Sequence, residues 1–449
     1  MWDFLFKSSP LVYLTQSLWR DEAYSFLMAE RSIPFIIQKS SFEPPFYYLL
    51  LHYWIKIFGS SEIAMRALSL LALTLATIVV IYWAEKLFKK HWLSWFLPVF
   101  FFLNPMLLYY GLEVRTYAWY TFFAVLSMFA YSEKKWRLWV LATTVGFYTH
   151  SYMIFVPIIQ GVHWLLVNLK KRNFGSLQRL AKEPLVKSGL MAALLISPWA
   201  LRLITESGKL KYSWYFPVDL NLIKSVLGNM FVGYEGTPWF MWKHTAVVSI
   251  VLLVFFVLAL RSRAHRTRNL FFFLMVILPL AIVIGISFIK PLFVNRYLIP
   301  VSVAEVFLLV FALESINNKL WQKLLAAAML TAVVVFNFWY PPLHAKLDIR
   351  STVLQVNSLL GKDDVIYATS PLIFFETIYY GQNRTKVFLY NPGGYAFPWY
   401  VGEAVVSPSQ MVSTIPLYPN RAFMINEDGT YELAYKVAVS QTPEASDKE

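Results

Sequence analysis

The sequence predicts a polytopic α-helical membrane protein of about ten spans, followed by a small C-terminal α/β domain. Of its 449 residues, 58% are apolar and 15% are charged, whereas a soluble domain has roughly 45–50% and about 25%. Apolar runs of about 20 residues, enough to cross a membrane as a helix, recur along most of the chain. The C-terminal part instead alternates short β-type and helix-like segments, as a soluble α/β domain does.

The apolar runs predict ten membrane spans, which we place at Ala64–Ala84, Leu93–Tyr110, Thr116–Tyr131, Leu138–Tyr148, Tyr152–Leu169, Leu185–Ile204, Thr245–Leu260, Leu270–Ile289, Tyr297–Leu313 and Leu320–Trp339. Aromatic residues make up 18% of the chain, as expected where rings line membrane interfaces. The sequence has no cysteine, which excludes disulfides, thiolate metal sites and a cysteine nucleophile.

The net charge of +14 would suggest a nucleic-acid ligand in a soluble protein. Here much of it lies in five short loops, as the clusters Lys86, Lys89 and Lys90; Lys134, Lys135 and Arg137; Lys170, Lys171, Arg172, Arg179, Lys182 and Lys187; Arg261, Arg263, Arg266 and Arg268; and Lys319 and Lys323. By the positive-inside rule these loops are cytoplasmic. The charge therefore orients the chain in the plasma membrane, and we predict membrane lipids but no nucleic acid as partners.

The other ends of the spans should then lie on the extracytoplasmic side, together with the C-terminal domain. This side receives Arg20–Pro45, Gly111–Arg115, Glu206–Lys243, Lys290–Arg296 and everything after Tyr340. Both flanks of residues 138–167 are positive, which requires a hairpin with His150 at its outer tip. The unusual polar residues of the chain thus collect on one side.

We divide the chain into a first outer loop (1–63), a transmembrane bundle (64–340) and a soluble extracytoplasmic α/β domain (341–449). With this orientation the first predicted span runs from outside to inside. Yet Met1–Trp19 has neither the charged start nor the long apolar run of a signal peptide. We therefore expect that a preceding helix is missing from this chain.

The C-terminal domain should contain two helices and four strands. The helices are predicted at Leu347–Leu360 and Leu372–Tyr380, and the strands at Asp364–Ala368, Lys386–Tyr390, Arg421–Ile425 and Tyr431–Val439. No glycine-rich phosphate fingerprint follows a strand, so Asn391–Gly394 is predicted to be a plain turn. Within Glu206–Lys243, the apolar residues Leu220, Ile223, Leu227, Met230 and Phe231 share one helical face, which fits an amphipathic helix at the interface.

Asp21 and Glu22 are the first candidate site residues. Adjacent carboxylates point in different directions, so one could accept a proton from an attacking hydroxyl while the other orients it or binds a metal. The alternative is a capping pair, which would open the helix Ala23–Arg31 at its positive N-terminus.

Glu43 precedes Pro44 and Pro45 at the start of another helix, and it could cap that helix. It could also join the Asp-Glu pair around a divalent cation, with His150 as a further ligand. The alternative for His150 is a hydrogen-bonded structural role. A divalent metal ion is the one cofactor that these residues suggest.

Three basic residues are candidates for holding an anion. Arg115 follows Glu113 in a turn between two apolar spans, where the two could simply form an ion pair or Glu113 could hold Arg115 toward a ligand. Arg296 starts a span, where a guanidinium and a helix N-terminus both favour phosphate; it could also be an interfacial anchor. Lys290 adds to the positive field.

Taken together, these motifs resemble the GT-C superfamily of polytopic glycosyltransferases, and most of all the branch with protein O-mannosyltransferases and lipid A aminoarabinose transferases. The resemblance covers residues 17–340, and the matching stretches are Trp19–Ser25, Pro44–His52 with Gly59–Glu62, Glu113–Ala118, Tyr148–His150 and Asn295–Pro300. There are two departures. Many relatives have His where this chain has Glu43, and the family has a helix ahead of the Asp-Glu loop.

The resemblance implies an enzyme that moves a sugar from a polyprenyl-phosphate donor to an acceptor hydroxyl on a glycan, lipid or protein. It implies Asp21 as the base with Glu22 beside it, and Arg115 and Arg296 as holders of the donor phosphate. The motif tyrosines Tyr24, Tyr47, Tyr117 and Tyr297 would line the substrate site. A one-step displacement would invert the anomeric centre.

Two other functions compete with this one. A lipid-carrier flippase or secondary transporter needs internal repeats and binding residues at the membrane midplane, whereas the ionisable residues here lie at the predicted outer ends of the spans. A membrane scaffold whose outer domain binds a partner would leave Asp21, Glu43, Arg115 and Arg296 without a role.

Overall fold

The computed structural model describes residues 7–40, 42–169, 182–212, 217–233 and 241–438. The chain divides into two compact units. The first, which we call the bundle unit, contains Met1–Thr15 and Arg31–Ala345. The second, the sheet unit, contains Gln16–Glu30 and Lys346–Glu449. The short segment with the Asp-Glu motif therefore belongs with the C-terminal part of the chain.

The bundle unit is helical throughout its described residues. Its α-helices are α1 (Leu11–Thr15), α3 (Ile33–Lys39), α4 (Phe46–Phe58), α5 (Glu62–Phe88), α6 (Leu93–Leu103), α7 (Pro105–Gly111), α8 (Tyr117–Ser132), α9 (Trp136–Thr149), α10 (Phe155–Leu169), α11 (Pro184–Glu206), α12 (Leu220–Phe231), α13 (Trp242–Arg261), α14 (Arg266–Ser287), α15 (Ile299–Glu314) and α16 (Lys319–Trp339), with α2 (Arg20–Ala29) lying in the sheet unit. Short 3-10 turns at Ser151–Ile154 and Asn295–Leu298 lead into α10 and α15.

Seven helical stretches of the described residues are long and apolar enough to cross a membrane, and a bent pair would make an eighth. They are Glu62–Phe88, Ser151–Asn168, Pro184–Lys209, Trp242–Arg261, Arg266–Ser287, Asn295–Glu314 and Lys319–Trp339. The other two of the ten predicted spans correspond to the shorter helices α8 and α9. The prediction of a polytopic helical membrane protein is thus confirmed.

The second predicted span is not one straight helix. α6 and α7 meet at Asn104 with a bend of 58°, because Pro105 cannot donate the hydrogen bond that would continue the helix. The Asn104 side chain accepts a bond from Leu107 N at 3.1 Å and donates one to Phe231 O at 3.0 Å. The continuous apolar run therefore contains a helix break, and Asn104 caps the helix that follows it.

The core of the bundle unit surrounds α15, of which the residues Ile299–Leu313 are all buried. Aromatic rings fill the space around this helix, as where Phe272 and Phe307 stack with centroids 4.6 Å apart. The predicted amphipathic helix is α12, which buries Leu227, Met230 and Phe231 but exposes Leu220 and Ile223. Its C-terminal half therefore packs into the bundle.

The α12 and α13 backbones approach each other closely at Gly228. A Cβ atom placed at Gly228 would lie 2.0 Å from the backbone oxygen of Thr245. Ser249 Oγ accepts a hydrogen bond from Gly228 N at 2.8 Å, which ties the two helices together at the same point. This contact requires a residue without a side chain.

The sheet unit has a five-stranded sheet in the order β3-β2-β1-β4-β5. Its elements are α17 (Ile349–Leu359), β1 (Val365–Ala368), α18 (Pro371–Tyr380), β2 (Val387–Tyr390), β3 (Met411–Val412), β4 (Ala422–Ile425) and β5 (Tyr431–Ala434). β1 to β4 are parallel, and β5 pairs antiparallel with β4. The predicted βα alternation of the C-terminal domain is confirmed, with α2 from the start of the chain packed against α18.

Candidate functional site

The predicted site residues fall into two groups, one in each unit. The sheet unit carries Asp21, Glu22 and Tyr24 on α2. The bundle unit carries all the others, namely Glu43, Tyr47, Glu113, Arg115, Tyr117, His150, Lys290, Arg296 and Tyr297. That the two groups share one site remains a prediction.

Glu22 caps the helix α2. It is fully buried, accepts a hydrogen bond from Trp19 N at 3.3 Å, and pairs with Lys346 Nζ at 3.5 Å. Lys346 also lies over the Trp19 ring, 4.7 Å from its centroid. The capping alternative is thus correct for Glu22, which holds the first turn in place.

Asp21 is held by the residue before it. Arg20 Nε donates to Asp21 Oδ1 at 2.9 Å, and the Asp21 side chain is only 11% exposed. This contact fixes the position of the Asp21 carboxylate against the side chain of Arg20. Asp21 and Glu22 therefore have different environments, as their directions on a helix require.

Tyr24 lies one turn further along α2, against residues of the sheet unit. Its ring centroid is 5.8 Å from that of Phe375. Gly402 lies beneath the ring at a φ of +129°, and a Cβ atom there would come within 2.4 Å of Tyr24 Cδ2. The loop around Gly402 is thus shaped to fit this side chain.

One acidic residue near Asp21 did not emerge from the sequence. Glu376 of α18 is buried, and Arg20 and Asp21 of α2 are charged groups near it. The segment Pro371–Tyr380 is otherwise apolar and aromatic, so a single acidic residue within it carried no signal of its own. Only the packing of α18 on α2 brings Glu376 to the Asp-Glu motif.

In the bundle unit, Glu43 and Arg115 form an ion pair. Glu43 also accepts a hydrogen bond from the hydroxyl of Tyr48. Arg115 is 4% exposed. The Glu43 carboxylate is therefore a charged partner of a buried guanidinium. Glu43 is thus a partner of Arg115, a role that sequence analysis did not predict for it.

Arg115 and Arg296 bring two positive charges to one tyrosine. Each guanidinium carbon lies 5.8 Å from the centroid of the Tyr117 ring. Arg296 lies equally far, 5.8 Å, from the ring of Tyr297. Both guanidinium groups are buried, and the donor fork of a guanidinium suits an anion such as phosphate.

His150 lies beside these arginines, in the turn between α9 and the 3-10 turn Ser151–Ile154. Its Nδ1 accepts a hydrogen bond from Tyr152 N at 3.2 Å. Burial, together with the positive charges of Arg115 and Arg296, lowers the pKa of His150 from 6.5 to about 3. The imidazole is therefore neutral at physiological pH.

The remaining candidates of the bundle unit are Glu113, Tyr47 and Lys290. Glu113 accepts a bond from the Tyr109 hydroxyl at 3.4 Å, and its backbone oxygen accepts the Arg115 N–H at 2.8 Å. Tyr47 is buried, with its ring 5.9 Å from that of Tyr48. Lys290 is half-buried just past the end of α14. Of these three, Glu113 shapes the Arg115 turn directly.

That a divalent metal ion joins the Asp-Glu pair to Glu43 and His150 stays a hypothesis, because these residues belong to two units. Among the described residues, no three His, Cys, Asp or Glu side chains are grouped so that they could hold one. Glu43 is engaged by Arg115 and Tyr48, and His150 Nδ1 by Tyr152. Two neighbouring guanidinium groups would also repel a cation. The surroundings of Glu43 and His150 thus fit an anion better than a metal.

No protein-family model matches this chain, and no curated protein matches it in sequence. Two solved structures do match in fold, both of ArnT from Cupriavidus metallidurans. The apo state matches with a TM-score of 0.61 and the undecaprenyl phosphate complex with 0.59. Each is 15% identical and covers 94% of this chain and 93% of its own. This similarity shows that the chain shares the fold of these ArnT structures, whereas such low identity leaves the activity to be argued from the site.

Proposed function

We propose that this protein is a membrane glycosyltransferase that moves a sugar from a polyprenyl-phosphate donor to an acceptor hydroxyl. The observation that carries the proposal is the convergence of Arg115 and Arg296 on Tyr117. It occurs in a fold similar to that of an ArnT structure bound to undecaprenyl phosphate. The shared ligand chemistry is a phosphate group on a long apolar chain.

The two arginines suit the phosphate of such a donor. A guanidinium presents several N–H donors in a planar fork that matches phosphate oxygens. When the sugar leaves, negative charge grows on the phosphate oxygen that held it, and fixed positive charge stabilises that oxygen. Since His150 stays neutral, the charge at this place comes from Arg115 and Arg296 at all physiological pH values.

Asp21 is the proposed base. The acceptor hydroxyl gives its proton to the Asp21 carboxylate as its oxygen forms a bond to the anomeric carbon. The bond between that carbon and the phosphate oxygen breaks on the opposite face, and the polyprenyl phosphate leaves with the bonding electron pair. A single displacement of this kind inverts the anomeric centre. Glu22 and Arg20 hold Asp21 in position and do not react.

The charge pattern of the loops supports an active site on the extracytoplasmic side. The five basic loops are assigned to the cytoplasm, and the candidate site residues lie at the opposite ends of the predicted spans. We propose that the acceptor is a glycan, lipid or protein in the cell envelope. The C-terminal sheet unit would lie on the same side, since it contains Asp21.

The test is transfer by the purified full-length protein in lipid nanodiscs, with synthetic polyprenyl-phosphate sugars as donors. The variant Asp21→Asn should lose transfer while still inserting and binding undecaprenyl phosphate. Asp363→Asn, an exposed aspartate of the same unit, is the matched control and should keep full activity. Full activity of Asp21→Asn would refute the base. Lipid-linked saccharides that are unchanged in a deletion strain would refute the function.

A further inference from the structure

An exposed tyrosine is held at the carboxyl edge of the sheet by the turn that follows β2. Gly394 N donates to Asn391 O at 3.1 Å, which closes the turn predicted at this place. The Asn391 amide holds both backbone groups of Tyr395, since its Nδ2 donates to Tyr395 O at 2.7 Å and its Oδ1 accepts from Tyr395 N at 3.1 Å. We call residues Asn391–Tyr395 the tyrosine turn.

The Tyr395 ring packs against the backbone of this turn, and most of the ring remains open to solvent. A Cβ atom at Gly393 would lie 2.2 Å from Tyr395 Cε2, so the ring occupies space that only a glycine leaves free. Tyr395 is nevertheless 78% exposed. A ring that is fixed but exposed can bind a partner at little cost in conformational entropy.

A cavity of about 290 Å³ lies beside the tyrosine turn, at the carboxyl ends of β1 and β2. Thr369, which follows β1, and Tyr390, the last residue of β2, both line it, together with Tyr395 and Phe397. Parallel α/β sheets bind their ligands at this edge. The volume is close to the lower end of the range for small-molecule sites, about 300–1,000 Å³, so the cavity fits a ligand of one or two small rings.

The side chains around the cavity favour a neutral ligand that carries hydroxyl groups. Of the described residues that line it, none is charged, and they combine aromatic rings with hydroxyl and amide groups. The apolar face of a sugar ring presents C–H bonds, which are attracted to the negative face of an aromatic ring. Sugar hydroxyls form hydrogen bonds with tyrosine and threonine hydroxyls and with backbone groups. The lining therefore suits a neutral saccharide.

The cavity and the proposed base belong to the same unit. Phe397, which lines the cavity, lies 5.7 Å from Phe375 between ring centroids, and Phe375 lies 5.8 Å from Tyr24. Tyr24 is one turn from Asp21 on α2. A saccharide bound in this cavity is therefore separated from Tyr24 by two aromatic side chains of the sheet unit.

We propose that the tyrosine turn and its cavity bind a neutral saccharide, and that this saccharide is part of the acceptor. The acceptor is then a glycan. The proposal deepens the proposed function and rests on it for the role of the bound glycan, whereas saccharide binding itself requires no transfer. Proline-rich peptides also dock on aromatic grooves, but they extend by about 3.1 Å per residue and need a longer groove than this cavity.

Four variants test the site. Tyr395→Ala removes the exposed ring, and Tyr395→Phe keeps the ring without its hydroxyl. Gly393→Ala displaces the ring from the turn, because the added methyl group would lie 2.2 Å from it. Tyr435→Ala removes another exposed tyrosine of the same unit and is the matched control. All three positions lie at the surface, so the variants should fold, and thermal unfolding checks that they do.

Binding is measured with the full-length protein in nanodiscs, on an array of neutral oligosaccharides built from hexoses and N-acetylhexosamines. A polyproline peptide represents the competing class of ligand, and calorimetric titration gives the Kd of each saccharide that binds. Tyr395→Ala and Gly393→Ala should raise this Kd roughly tenfold, Tyr395→Phe by less than about threefold, and Tyr435→Ala should leave it unchanged. An unchanged Kd in Tyr395→Ala would overturn the proposal, as would binding of the peptide alone or of no saccharide.

Transfer assays separate this site from the proposed function. With the bound saccharide as acceptor, Tyr395→Ala should raise KM for the acceptor roughly tenfold and leave kcat and the KM for the donor unchanged, because the ring binds substrate and transition state equally. An unchanged acceptor KM would overturn the acceptor role. If the saccharide binds through Tyr395 but receives no sugar from any polyprenyl-phosphate donor, the proposed function fails, while the saccharide site stands.

Discussion

The imidazole of His150 lies flat against the ring of Tyr120, with centroids 4.7 Å apart and ring planes inclined by 9°. Tyr117 and Tyr297 also contact His150, at 5.8 and 5.1 Å between centroids. This aromatic cage excludes water from a ring that lies near two arginines. Its burial in this cage is the main reason why His150 carries no charge.

The first prediction concerns the pH dependence of stability. Because folding lowers the pKa of His150 from 6.5 to about 3, the unfolded chain takes up a proton in this range that the folded protein does not. The free energy of unfolding should therefore fall as pH decreases from about 6.5 toward 3, by up to about 1.4 kcal/mol for each pKa unit.

His150→Gln should flatten this acid dependence, and His91→Gln, at an exposed histidine, should leave it unchanged. Thermal unfolding of the detergent-solubilised protein at a series of pH values measures the effect. Equal acid slopes for wild type and His150→Gln would contradict the neutral histidine.

The second prediction concerns the donor phosphate. Arg296→Met and Arg115→Met should each weaken binding of undecaprenyl phosphate by roughly 10–100-fold, the range for hydrogen bonds to charged groups. Arg296→Lys should recover part of the loss, because it restores the charge but not the planar fork. Arg263→Met removes a charge from an exposed loop residue and should change little. Binding is measured by microscale thermophoresis. An unchanged Kd in both Arg115→Met and Arg296→Met would exclude these arginines from the site.

The third prediction concerns Glu43 as the holder of Arg115. Glu43→Gln keeps the size of the side chain but removes its charge, so Arg115 should be less firmly placed and KM for the donor should rise roughly tenfold. Tyr48→Phe removes only the hydroxyl bond to Glu43 and should have a smaller effect. Addition of EDTA should not change the KM of either variant, because Arg115 and Tyr48 already engage the Glu43 carboxylate. Loss of transfer on chelation, with recovery on adding a divalent cation, would contradict this role.

The fourth prediction concerns the contact between α12 and α13. Gly228→Ala would place a methyl group 2.0 Å from Thr245 O, so the two backbones must separate. Overpacking typically costs about 1–3 kcal/mol, and backbone contact should place this case at the upper end. Gly285→Ala is the control, since nothing lies within 4 Å of the added atom. Thermal unfolding should show a lower midpoint for Gly228→Ala only; an unchanged midpoint would contradict the close packing.

The sequence predicted the elements whose signal is local. The apolar runs indicated the long helices, and the strands Val365–Ala368, Val387–Tyr390 and Ala422–Ile425 lie within the predicted segments. The bend at Asn104 was also local, since Asn before Pro105 is a helix-start signal. The prediction missed this bend because the segments on both sides of Asn104 are uniformly apolar.

What could not be predicted depends on contacts between distant parts of the chain. Glu43 and Arg115 are 72 positions apart, and a pattern of acidic residues alone suggested a metal. Tyr380 reaches Leu18 only because α18 packs on α2. Such contacts are fixed by the packing of whole helices, and no periodicity within either segment encodes them.

The sheet unit combines the beginning of the chain with its end, and this sets an order of events during synthesis. Ser17 Oγ bonds to Leu347 O across 330 positions, which a ribosome adding about 5–20 residues per second covers in roughly 15–65 s. Throughout that interval the N–H group of Leu18 has no Tyr380 to bind. A nascent chain therefore acquires Arg115 and Arg296 before the turn with Asp21 is fixed, because the partners of that turn, Lys346 and Tyr380, come later in the chain.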